Sequence, residues 1–168
     1  METINLKPAC LFGIPPHGWW ETEACQIMKS TTFHWGMIVM PDLDGWICTE
    51  SISKGVALTR FDYPMAAIYR IKGLDGIVPY DIIRIISKYG DYPYDFGVNF
   101  WTAAWYLAKH YLGKVLPVIK NQKFNCVEWV NILAVELGSD SLVPECDYLM
   151  PAGLEHSNKL EFQGWLVQ

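Results

Sequence analysis

The stretch FHWGMIVM, residues 33–40, constrains the fold more than any other segment of this chain. Phe33, Trp35, Met37 and Val39 alternate with His34, Gly36, Ile38 and Met40, and both sets are largely apolar. An edge strand or a strand with one wet face would carry polar residues at every second position. This one predicts a strand buried on both faces. Turn chemistry follows in PDLDG (41–45), then WICTES, and the two segments read as a hairpin. GVALTRF (55–61) and AAIYRIKG (66–73) read as two more strands of an antiparallel meander. Upstream, ACLFGI (9–14) predicts a short strand broken by Pro15 and Pro16, and residues 21–29 a short helix.

After Gly76 the period changes. Pro79 can open a helix in which Ile82, Ile83, Ile86 and Tyr89 share one face and Gly90 ends the run. DYPYDFG (91–97) reads as an aromatic loop, and VNFWTAAWYLAKHYLG (98–113) as a helix with Asn99 as its cap. In FNCVEWVNILAVELG (124–138), Val127, Val130, Leu133 or Ala134, and Leu137 form a helical stripe closed by Gly138. The tail from Ser139 to Gln168, with Pro144 and Pro151, reads as coil with at most one strand. Strands first and helices later indicate the α+β class. With 168 residues and no repeat, low-complexity tract or linker, the expectation is a single domain spanning 1–168.

Composition narrows the function classes. The chain is 51% hydrophobic and 18% charged, which argues against disorder. Its formal net charge of −5 supplies no basic stripe to displace counterions from phosphates, so nucleic acid is not an expected partner. Cysteines stand at 10, 25, 48, 126 and 146, an odd number without a CxxC pair, so a reducing compartment is expected rather than a disulfide framework. METINLKPACLFGIPP shows no secretory pattern and no apolar run is long enough to span a bilayer, so the expected location is cytoplasmic with no spanning segment. The run Phe100, Trp101, Trp105, Tyr106, Leu107, Tyr111 and Leu112 could wall an acyl pocket or touch a membrane peripherally, although such stripes are more often core. The sequence gives no indication of oligomeric state.

Cys126 is the first candidate for chemistry. It opens a predicted helix directly after Asn125, a favoured cap, where free amide N–H groups and the macrodipole stabilise a thiolate. Its plainer alternative is a core cysteine. His34 is costly in so apolar a strand unless a hydrogen bond or a reaction uses it. Glu50, across the hairpin, can hold the far ring nitrogen of that histidine, or be an ordinary strand-end surface carboxylate. Tyr94, in the aromatic loop, can pack its ring in the core. Asp95 can cap a turn, and His17, His110 and His156 have no evident partner. Cys10, His17 and Cys25 fit no zinc spacing, so neither a metal nor another cofactor is expected.

The strings HWGMIVM, TESISKGV, YPYDFG and FNCVEWV, in that order, resemble the circularly permuted branch of the NlpC-type papain-like proteins. That branch includes YiiX-like proteins and, more distantly, the lecithin:retinol acyltransferase group. The resemblance covers residues 9–155. It implies a papain-like α+β fold, an antiparallel sheet packed against helices with the nucleophile at a helix N-terminus. The segment near 98–123 is a longer helical insertion than the branch suggests. It further implies a cysteine-dependent amidase or peptidase acting through a thioester, with Cys126 as nucleophile, His34 as base, Glu50 as orienting acid and Tyr94 at the oxyanion. A lipid acylhydrolase or acyltransferase using the same site, or a binding protein that keeps only the fold, are the alternatives. The implied substrates are cell-wall peptides, other amides or isopeptides, and acyl lipids.

Overall fold

Apolar segments in the first half of the chain supply five strands of a six-stranded antiparallel sheet, and the segment near residue 160 supplies the sixth. The computed structural model describes residues 4–90, 92–93, 108, 112–114, 125–143 and 150–168. In chain order the elements are β1 (Leu11–Ile14), α1 (Trp19–Met28), β2 (His34–Asp42), β3 (Gly45–Ile52), β4 (Gly55–Arg60), β5 (Met65–Ile71), α2 (Pro79–Tyr89), α3 (Cys126–Glu136), α4 (Pro151–Glu155) and β6 (Leu160–Val167). The architecture is α+β, as expected. The segments read as an aromatic loop (91–97) and a helix (98–113) lie largely outside the described residues.

The strand order is β4-β3-β2-β1-β5-β6. This corrects the expected four-strand meander, which ends at β4. β5 crosses over to pair with β1, Leu11 against Tyr69 and Gly13 against Ala67. The reason is β1 itself. All four of its residues are buried, so it needs a neighbour on each side, and β2 and β5 supply them. β2 also continues through Pro41 and Asp42, which pair with Trp46 and Gly45, so the turn shrinks to two residues.

The tail holds the one strand its reading allowed and departs from that reading in one short helix. It contains the short helix α4 and the edge strand β6, whose Ala67–Trp165 and Ile71–Leu160 pairs extend the sheet. Glu161, Gln163 and Gly164 break the apolar alternation of β6, as a half-exposed edge permits.

Two cores flank the sheet, as the double-faced pattern of β2 predicts. On one side Leu11, Trp35, Met37 and Val39 pack against Ile82, Ile85 and Ile86 of α2 and against Val127, Val130 and Leu133 of α3. On the other, Phe12, Ile14, Ile38, Cys48 and Ile68 gather with Leu6 and Phe61. Full burial of each large apolar side chain contributes about 1.5–3 kcal/mol, so β2 is tied into both layers. In α2 the fully inward positions are Ile82, Ile85 and Ile86, whereas Ile83 and Tyr89 are only partly covered. In α3 the stripe includes Trp129, absent from the expected set, while Leu137 is the C-cap rather than a helical residue. Trp129 is fully buried, and its Nε1 donates to Thr49 Oγ1 at 3.1 Å, which fixes α3 along β3.

Candidate active site

The nucleophile candidate is presented by a fully formed capping box. Asn125 Oδ1 accepts from the Glu128 N–H at 2.8 Å, and the Glu128 carboxylate accepts from the Asn125 N–H at 2.9 Å. Both members of an N-x-x-E box are thus reciprocally satisfied, which sets the first turn at Cys126. The amides of Cys126 and Val127 are left without an acceptor within the helix, and the positive end of the macrodipole points the same way. Cys126 retains 7% of its surface.

His34 is the first residue of β2. Alternation puts it on the same face as Gly36, and Gly36 pairs with Glu50 on β3, so histidine and carboxylate are diagonal neighbours. His34 Nε2 lies 2.6 Å from Glu50 Oε2. Gly36 is a glycine for a reason of space: a Cβ there would stand 2.3 Å from Phe12 Cζ and 2.9 Å from the Thr49 carbonyl oxygen. Glu155 of α4 secures the approach to β2, accepting from Ser30 Oγ at 2.7 Å and from the Thr31 N–H at 2.9 Å.

Glu50 is not the surface carboxylate of the plainer alternative. It is 3% exposed and accepts from three side chains: His34 and Tyr63 at Oε2, the latter at 2.6 Å, and Thr59 at Oε1. Burial pushes its carboxyl up, but the bond and charge of His34, with the Thr59 and Tyr63 hydroxyls, bring it below the ordinary carboxylate value. Burial works against charge on His34 too. There the Cys126 side chain, by hydrogen bonding and negative charge, and Glu50 in the same two ways, outweigh it and raise the imidazole to about 10. Both the Cys126 side chain and the Glu50 carboxylate thus favour the protonated form of the ring. Its side chain is 23% exposed, so the charge is not sealed from a ligand.

Of the four expected site residues, His34 and Glu50 are hydrogen-bonded and Cys126 acts on the same imidazole, whereas Tyr94 lies outside the described residues, as does Asp95. Reasoning from the sequence missed Thr59 and Tyr63. Thr59 was findable, because a two-residue turn after β3 fixes Ala57 opposite Glu50 and so Thr59 diagonally beside it. Tyr63 sits in the loop after β4, where no periodicity predicts direction. Among the described residues no group of three or more His, Cys, Asp or Glu side chains is arranged to hold a metal ion.

No family model matches the chain, and no curated protein does. Among solved structures it is similar to YiiX of Escherichia coli O157:H7, described as a metalloprotein (DUF1105). The two superpose with a TM-score of 0.65 at 12% identity, over 96% of this chain and 98% of that one. They share a fold. Among the described residues no helix is long and apolar enough to cross a membrane.

Proposed function

We propose that this protein is a cysteine-dependent amidase or peptidase of papain-like type, permuted relative to NlpC proteins, with Cys126 as nucleophile and His34 as base. One observation carries the reading: the His34 imidazole is bonded to Glu50 at 2.6 Å while the Cys126 side chain acts on the same ring. A satisfied core histidine would need the carboxylate alone, whereas here a cysteine in the first turn of a capped helix also acts on the ring.

The chemistry follows the three groups. Proton transfer from the Cys126 thiol to His34 forms a thiolate–imidazolium pair, which Glu50 stabilises, and the Cys126 thiolate attacks the carbonyl carbon of an amide. The N–H groups at the start of α3 are suited to hold the resulting oxyanion. The tetrahedral centre collapses, the C–N bond breaks, and protonated His34 gives its proton to the leaving amine. Water, deprotonated by His34, then cleaves the thioester, releasing the carboxylic acid and restoring the thiol. Glu50 stays ionised and keeps the ring in register.

Iodoacetamide tests the nucleophile directly. Cys126 is expected to alkylate well ahead of Cys10, Cys25, Cys48 and Cys146. Burial first, then the charges of Glu155 and Glu21, push Cys25 up to about 11, and burial pushes Cys48 up as well. His34→Ala is expected to slow labelling of Cys126 alone, and to lower the rate on an amide substrate by about 10²–10⁴-fold. Equal, slow labelling of all five cysteines rejects the reading. Incubation with muropeptides and with phospholipid vesicles addresses the substrate, and release of fatty acid without peptide cleavage rejects the amidase assignment.

A further inference from the structure

The Glu50 carboxylate is held by more than the histidine. Its Oε2 accepts from His34 Nε2 and from the Tyr63 hydroxyl, each at 2.6 Å, and its Oε1 accepts from Thr59. An ionised carboxylate that is 3% exposed needs such donors, because burial favours the neutral acid. Were Glu50 to protonate, it would lose its charge and with it the force that keeps His34 aligned.

We propose that Tyr63, assisted by Thr59, is a positioning residue that keeps Glu50 ionised and fixed against the His34 ring. Its hydroxyl is bonded to the carboxylate and acts through it. The proposal rests on the amidase reading for the purpose of the site, but not for the hydrogen bonds themselves. Tyr63 suits the role because burial, then its bond to Glu50, pushes the phenol far above its ordinary value. It therefore remains a donor across the working pH range and never competes as a base. Its ring is fixed independently, 5.6 Å from those of Phe12 and Phe61. The titratable groups acting around Glu50 are His34 from β2, Tyr63 from the loop after β4, Cys48 from β3 and Cys126 from α3.

Tyr63→Phe removes the hydroxyl and leaves the ring packing. The titration of Glu50 is read by carboxyl-carbon NMR of glutamate-labelled protein, with the resonance assigned by its loss in Glu50→Gln. Tyr63→Phe is expected to raise the Glu50 midpoint by about one unit, the shift that matches loss of a hydrogen bond to a charged group. Thr59→Val is expected to shift it in the same direction. An unmoved midpoint in a folded Tyr63→Phe protein overturns the proposal. The functional half is read from iodoacetamide labelling of Cys126 against pH, whose acid limb is expected to move upward with the Glu50 midpoint. A carboxylate that shifts while the labelling profile stays put also overturns the positioning role. If wild-type Cys126 shows no preferential labelling at all, the amidase reading fails, and the Glu50 midpoint still decides whether Tyr63 holds the carboxylate.

Discussion

His34 and Glu50 give the protein a pH dependence whose sign follows from their two shifts. The histidine is raised from its ordinary 6.5 to about 10. Its contribution to stability is therefore complete below about pH 6.5 and is lost as pH climbs through about 10. Glu50 is lowered from 4.5, so its contribution is present above that value and is lost as pH falls through its depressed value. Their joint contribution is greatest between pH 4.5 and 6.5. Urea titrations of the wild type against Glu50→Gln are expected to differ most in that window and to converge toward pH 10. The difference at its largest is about 3 kcal/mol, the lower end for breaking a buried pair, since His34 is partly exposed. A gap that widens with rising pH contradicts the assigned shifts. The candidacy of His34 and Cys126 was legible because each is out of place, an imidazole in a hydrocarbon strand and a thiol behind a cap. Tyr63 was not, because a loop tyrosine has no period to betray where its hydroxyl points.

Among the elements, α3 does most to define the site, and its start was the clearest feature of the sequence. Asn125, Glu128 and the valines at 127 and 130 state the cap, the box and the buried face together. Asn125→Ala is expected to cost about 1 kcal/mol, seen as a lower urea midpoint with an unchanged slope, and Asn125→Asp to retain most of that stability. If the alanine variant is as stable as the wild type, the box contributes nothing. β2 was equally legible, since few contexts other than a central strand bury both Trp35 and Ile38. Its neighbours were another matter. Alternation reports that a residue faces in or out, not which strand lies alongside, so nothing in AAIYRIKG distinguishes pairing with β4 from pairing with β1. The one strand allowed in the tail could not be placed, because an edge strand can carry Glu161, Gln163 and Gly164 without penalty.

The molecule as a whole mixes very short and very long connections. β2, β3 and β4 are joined by two-residue turns, whereas β1 pairs Leu11 with Tyr69, and β6, near the end of the sequence, closes the far edge. Loop-closure entropy favours the hairpins over these distant pairings. Pulsed hydrogen exchange during refolding is expected to protect amides of β2–β4 before those of β1, β5 and β6. Simultaneous protection of all six strands, or protection of β1 first, goes against that order.

The distance along the chain between the two halves of the site has a consequence for its chemistry. His34 and Glu50 become neighbours as soon as one tight hairpin closes, but the sulfur joins them only when α3 docks along β2 and β3. A nascent or partly loosened chain thus carries an ordinary thiol, indifferent to passing electrophiles. On the proposed reading, reactivity is conferred by completion of the tertiary structure, and a strain that lifts this one helix would switch it off again.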